Sequence, residues 1–181
     1  MRIFTEDTNY EYFIQLYKKH IEPVAETYAW VLMGNHFHLL IKIRSREELE
    51  NNLHNYKTVT ALGRDRINQQ FSNLFNAYTK AFNKKYKRTG SLFQKGFHRK
   101  SANTKNYLIQ AILYIHNNPI HHGLVKKVED YKWSSYHGYF GEQRIELSKT
   151  EALEWFDDME NFKYMHLSKS SNTSFEKNEI P

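Results

Sequence analysis

Hydrophobic residues recur along this chain at two different periods, and each period predicts its own kind of element. Tyr12, Phe13, Leu16 and Tyr17 stand at helical spacing behind Asp7 and Thr8, either of which can cap a helix that stops by Pro23. Residues 27–33 are β-branched and aromatic and read as a strand. Gly34-Asn35 is a turn dipeptide, and residues 36–43 read as the returning strand of a hairpin. Ser45 can cap a short helix over Arg46–Asn52, whereas 53–67 carry little pattern and are expected to form a mobile connection. Phe71, Leu74, Phe75, Tyr78, Phe82 and Tyr86 fall at i, i+3, i+4, i+7, i+11 and i+15, one face of a long helix that Gly90 ends. A basic loop or short strand is expected over 91–100. Thr104 then caps a helix to Asn118, which Pro119 terminates. Thr150 with Glu151 opens a last helix through Trp155 and Phe162. From about Ser168 the chain is polar and aperiodic and is expected to be disordered.

Composition narrows the class. The 181 residues are 40% hydrophobic and 15% aromatic, enough apolar mass for a real core. Seven Gly and three Pro are too few for a fibrous or turn-dense all-β chain. With no Cys there are no disulfides, thiolate zinc sites or cysteine nucleophiles. No apolar run approaches the length of a membrane span, so the expectation is a cytoplasmic protein with no membrane partner.

Charge changes the picture more. The net charge is +6, yet acids stop at Asp65 and resume only at Glu129, and residues 66–128 carry twelve Lys or Arg. The rest of the chain is therefore at −6. Amphipathic helices normally mix signs on their wet faces, so a long acid-free stretch points to a polyanion site, since each phosphate neutralised releases counterions. A plain solvated basic face is the alternative.

Two features inside this frame carry chemistry. On a strand, His36, His38 and Leu40 point one way and Phe37, Leu39 and Ile41 the other, which sets two imidazoles about 7 Å apart on one face, able to converge on a cation. Ordinary packed or surface histidines explain most such pairs. On the helix from Thr104, Leu108, Ala111, Ile112 and Ile115 share one side, with Ile109 and Leu113 beside them. The remaining stripe, Tyr107, Gln110, Tyr114, Asn117 and Asn118, is almost wholly polar, and Tyr114 and Asn118 at i and i+4 can address one site. A tyrosine at the core rim with its hydroxyl outward is the structural alternative. A phenol attacks well only with a metal or base to help, and a phosphodiester reacts when a divalent cation neutralises its non-bridging oxygens. Two His with an amide oxygen from Asn118 would suit that cation.

These residues resemble a known family. The segment 30–43, with His36-Phe37-His38, is similar to the His-hydrophobe-His motif of single-tyrosine HUH transposases, and within them to the REP-associated tyrosine transposases of bacteria. Gly90-Ser91-Leu92-Phe93-Gln94 resembles the motif after that group's long helix. Tyr114-Ile115-His116-Asn117-Asn118-Pro119 with Gly123-Leu124-Val125 resembles its tyrosine-helix signature, and Tyr131-Lys132-Trp133-Ser134-Ser135-Tyr136 its downstream aromatic motif. The ordered matches span about residues 3–166. Gly34 stands where the family usually has Pro, and either suits a tight turn.

The resemblance implies an α+β, ferredoxin-like sandwich with an antiparallel central sheet. It implies that His36, His38 and Asn118 bind Mg²⁺ or Mn²⁺. It further implies that Tyr114 attacks single-stranded DNA, hairpin or palindromic, to give a 5′-phosphotyrosine link and a free 3′-OH. Tyr107, the rival nucleophile, does not match the motif. Family members carry a first β-strand ahead of Ile3-Phe4 for which this sequence has no residues, so an exposed sheet edge is expected.

The expected organisation is a catalytic domain over 1–145, a helical appendage over 146–167 and a disordered tail over 168–181. Lys84, Lys85, Lys87, Arg88, Lys95, Arg99 and Lys100 are expected to hold the DNA backbone, with Phe93, Phe97, Tyr131 or Trp133 as candidates to stack on unpaired bases or else to pack in the core. The leading expectation is a metal-dependent DNA strand-transferase, monomer or homodimer. Two others stay open: a module that binds structured single strands without cutting them, and a hydrolase that activates water.

Overall fold

The computed structural model describes residues 1–52, 63–94, 99–142 and 144–170. Helix α1 (Asp7–His20) leads into strands β1 (Ala25–Leu32) and β2 (Phe37–Ile43), followed by α2 (Arg46–Asn52), α3 (Gly63–Lys85) and α4 (Lys105–His121). Two 3-10 turns (Val128–Asp130 and Ser135–Phe140) precede α5 (Lys149–Trp155) and α6 (Met159–Ser170). No helix among the described residues is long and apolar enough to cross a membrane.

β1 and β2 pair antiparallel as the hairpin the sequence predicts, with a register shift between Thr27 and Ala29 and with Val31 opposite His38. Among the described residues they make up the whole sheet. The period-2 alternation sorts β2 between two layers. Phe37 meets Phe13 of α1 and Phe75 of α3, while His38 meets Tyr114 of α4. Helices α1 and α3 thus cover one face and α4 the other. The free edge of β1 is closed by the aromatic motif: Leu32 N–H donates to the Trp133 carbonyl at 2.9 Å, and Trp30 N–H to Ser135 Oγ at 2.8 Å. Phe4, Phe13, Tyr17, Trp30, Tyr78, Ile112, Phe156 and Phe162 form the fully buried centre.

Five local expectations are corrected. The N-cap of α1 is Glu6, and the expected caps Asp7 and Thr8 lie inside the helix. Pro119 does not end α4 but sits within its last turn. The stop is Gly123, whose positive φ lets its own N–H reach the Ile120 carbonyl and the Leu124 N–H reach that of Pro119, a Schellman closure. The last helix is two helices. Asp157 adopts a left-handed φ of 71° and Asp158 Oδ1 accepts from the Asn161 N–H, so short polar side chains end α5 and start α6. Helix α6 runs to Ser170, into the stretch expected to be disordered, and residues 171–181 lie outside the described residues. Helix α3 begins at Gly63, inside the expected mobile connection, of which 53–62 lie outside the described residues.

A buried polar relay fastens α4 to its neighbours. His166 Nδ1 lies 2.7 Å from the Phe162 carbonyl, His116 Nδ1 is 2.9 Å from His166 Nε2, and His116 Nε2 is 2.7 Å from Ser135 Oγ. A carbonyl can only accept, so His166 donates through Nδ1 and accepts at Nε2. His116 then donates from Nδ1 and accepts the Ser135 hydroxyl at Nε2. Every donor finds an acceptor as long as both rings are neutral. Burial holds both imidazoles below their usual range, that of His166 at about 4.

Unfolded histidines take up protons near pH 6.5, well before the folded ones do. Stability is therefore complete above about pH 6.5 and is lost as the pH falls towards 4, at about 1.4 kcal/mol per pH unit for each such histidine. Urea midpoints measured at pH 7 and pH 5 should show this fall, and His166→Leu should shrink the difference by about one proton. Asn117 is also fully buried, and both polar atoms of its side chain lack a hydrogen-bond partner among the described residues. Asn117→Leu should raise stability by about 1–2 kcal/mol in the same assay.

Candidate active site

The hairpin turn brings the first histidine to the site. Met33 N–H donates to the His36 carbonyl at 2.8 Å, closing the two-residue turn Gly34-Asn35. The Gly34 carbonyl accepts from the N–H groups of both Ile3 and Phe4, at 2.8 and 3.0 Å, and the Ile3 carbonyl accepts the Tyr78 hydroxyl at 2.6 Å. The turn is thus pinned to the N-terminal segment and, through it, to α3.

On the α4 side of the sheet, His36 and His38 have ring centroids 5.1 Å apart and nearly perpendicular. Tyr114 lies 5.4 Å from His38, ring to ring. One helical turn further on, Asn118 is 1% exposed, with Oδ1 3.4 Å from His36 Nε2. The four residues read from the sequence as a site, His36, His38, Tyr114 and Asn118, are thus gathered at one place from segments about 80 residues apart in the chain. Burial, aided by His36 and His122, holds the His38 imidazole down to about 4, and burial also lowers that of His36. Neutral imidazoles at physiological pH are what a metal ligand or a hydrogen-bond acceptor requires.

His122 belongs to this cluster although the sequence reading passed over it. Its ring is 5.2 Å from that of His36, and His121 lies 6.2 Å from Tyr114. The signal was the His121-His122 pair placed just after the Asn-Pro step, where the chain turns back at the helix end. No three histidine or carboxylate side chains among the described residues are arranged to hold a metal ion. The donor set that does converge is mixed, imidazole nitrogen with amide oxygen. Its 3.4 Å nitrogen–oxygen separation is near the roughly 3 Å edge of an octahedron with bonds of about 2.1 Å. Such a set suits Mn²⁺ more readily than Mg²⁺, which favours oxygen throughout.

The basic residues divide into two groups. Lys84, Lys85 and Lys87 are exposed at and just beyond the C-terminal end of α3, and Lys85 is drawn to Glu6 at 2.8 Å, at the start of α1. Arg88 is turned back onto Asn83 at 2.7 Å. Arg99 and Lys100 are also exposed, and Lys100 sits 5.6 Å over Tyr107, two turns before Tyr114 on α4. Lys95 and Phe97 lie outside the described residues. The other aromatic candidates are structural. Trp133 is buried and stacked on Tyr10 at 4.5 Å, Phe93 packs against Phe75 and Tyr78, and the Tyr131 hydroxyl donates to the Leu32 carbonyl.

Ring-resolved NMR titration tests the electrostatics of the site: His38 should stay neutral at pH 6 and titrate near pH 4.

Known proteins can be set against this geometry. No family model matches the chain. A REP-associated tyrosine transposase of Haemophilus influenzae is 30% identical over 115 residues, 62% of this chain and 59% of that protein, so the chain spans about three fifths of the length of the curated relative it matches. Among solved structures, that of a REP-associated tyrosine transposase bound to a REP hairpin superposes with a TM-score of 0.51 at 18% identity, over 79% of this chain and 77% of that one. The sequence is thus similar to that of one REP-associated tyrosine transposase, and the fold is similar to that of a solved protein of the same description.

Proposed function

We propose that this chain cuts and rejoins single-stranded DNA with Tyr114 as nucleophile. The observation that supports it is the meeting of His36 and His38 with Tyr114 and Asn118, the latter two lying within the acid-free basic stretch of the sequence. A phenol with no base beside it is inert, but a phenol next to imidazoles that can share a cation is suited to attack on phosphorus.

His36 and His38, with the Asn118 oxygen, would hold Mn²⁺ or Mg²⁺, which supplies charge neutralisation to the phosphodiester. Tyr114 Oη releases its proton to solvent as it bonds to phosphorus. The bond from phosphorus to the 3′ oxygen breaks, and that oxygen leaves as a hydroxyl with a proton from solvent. The 5′-phosphate is then joined to tyrosine, and another 3′-hydroxyl reverses the step and reseals the strand. Arg99 and Lys100 would hold the backbone near α4, with Lys84 and Lys87 giving a second contact. The substrate in this reading is a hairpin-bearing strand, by analogy with the REP hairpin bound in the similar solved structure. Residues 1–145 then carry the chemistry on a ferredoxin-like frame, and 146–167 form an appendage that braces α4.

Covalent trapping tests the reading. Labelled hairpin-bearing single-stranded DNA and Mn²⁺ should give an adduct that survives denaturing gels. Tyr114→Phe should abolish it, Tyr107→Phe should leave it, and His36→Ala should cut it by roughly 10²-fold or more. Tight, salt-dependent binding with no adduct on any hairpin would favour a binding module. Cleavage that survives Tyr114→Phe would assign the attack to water.

A further inference from the structure

Each ring nitrogen of His36 faces an amide oxygen. Nδ1 is 2.8 Å from Asn35 Oδ1, while Nε2 is 3.4 Å from Asn118 Oδ1. A neutral imidazole carries one N–H and can donate to only one of them. The first separation is that of an ordinary hydrogen bond and the second is at the outer limit of one, so the proton belongs on Nδ1. If the Asn118 amide were turned over, its N–H would donate to Nε2, and the proton would still be on Nδ1.

We infer that Asn35 is a positioning residue: it fixes His36 in the tautomer protonated at Nδ1 and so leaves the Nε2 lone pair, beside the Asn118 side-chain oxygen, free to ligate a divalent cation. This rests on the cation reading given under the proposed function.

The surroundings support the assignment. Two lone pairs facing each other at 3.4 Å repel, and that repulsion is relieved when a positive ion stands against both. The turn that carries Asn35 is held rigid from two sides, by the paired N–H groups of Ile3 and Phe4 on the Gly34 carbonyl and by the Met33–His36 closure. Asn35 itself is exposed, and His36 is its hydrogen-bond partner among the described residues. An exposed turn residue with no other duty would be freely replaceable. A group that donates or accepts at the far nitrogen of a metal-binding histidine sets the ring's tautomer and orientation, and losing it typically lowers metal affinity about 10–100-fold.

The test uses the full chain without DNA and has two readouts. Nitrogen-15 NMR of the metal-free protein, with the His36 signal assigned by its loss in His36→Ala, should show the proton on Nδ1. Mn²⁺ titration gives the affinity. In Asn35→Ala the proton should move to Nε2 or divide between the nitrogens, and Mn²⁺ affinity should fall by roughly 10–100-fold with the thermal midpoint little changed. Asn35→Asp should restore both, since a carboxylate accepts from Nδ1–H. Wild-type protein carrying the proton on Nε2, or an Asn35→Ala variant with unchanged tautomer and affinity, overturns the inference. If wild-type protein binds no Mn²⁺ at all, the cation reading fails, and the tautomer readout still decides the role of Asn35.

Discussion

The relay from the Phe162 carbonyl through His166, His116 and Ser135 to the Trp30 N–H links α6, α4, the aromatic motif and β1 with hydrogen bonds that can run in only one direction. Apolar packing alone fixes a helix on a sheet loosely, because hydrophobic contact has no direction. A fully satisfied buried network is different: any slide of α4 by a fraction of a turn leaves a donor or acceptor without a partner in a low-dielectric interior, at a cost of about 1–3 kcal/mol each. Tyr114 and Asn118 stand on this helix, with His36 just before the neighbouring strand β2 and His38 within it. The accuracy with which the site is assembled is therefore the accuracy with which the relay seats α4 on β1.

The relay also gives the C-terminal segment a structural role. Phe156 and Phe162 are fully buried in the common core, and Phe162 lies 4.2 Å from the His166 ring. Helices α5 and α6 thus do for α4 what the Trp133-Ser134-Ser135 stretch does for β1: each closes the side that the site leaves open. From sequence the aromatic motif was a candidate surface for bases. In the fold its backbone and serine hydroxyl complete the sheet edge, and its Trp is buried against Tyr10.

What could be read in the sequence was whatever depends on near neighbours. Alternation and a turn dipeptide gave the hairpin, the 3.6-residue period gave α3, and the Ser45 cap gave α2; the structure adds Glu48, which completes a capping box with Ser45. The pairing of Tyr114 with Asn118 followed from i, i+4 spacing. The end of α4 did not follow, because Pro119 is a strong local stop signal but falls where a Schellman closure at Gly123 can still satisfy the last carbonyls. Nor did the relay: His116 on a buried face looks like any core histidine until His166, fifty residues later, is placed beside it. His122 and Asn35 were missed for a related reason. One reads as a helix end and the other as a turn, and only the folded chain sets both against His36.

Residues 116–118 show how one short stretch of helix separates structure from chemistry. His116, Asn117 and Asn118 are all buried, and successive positions rotate by about 100°. His116 turns to the relay, where burial is compensated in full. Asn118 turns to His36, where the contact is long and an amide oxygen faces a ring nitrogen, an arrangement that a well-packed interior would not keep for stability alone. Asn117 finds no partner among the described residues and shows what a buried amide looks like without compensation. The contrast between the first two is the physical case for a site here. In the relay the hydrogen bonds are short and complete, whereas at His36 the approach of Asn118 is long and sets an amide oxygen against a ring nitrogen, on the helix that carries Tyr114.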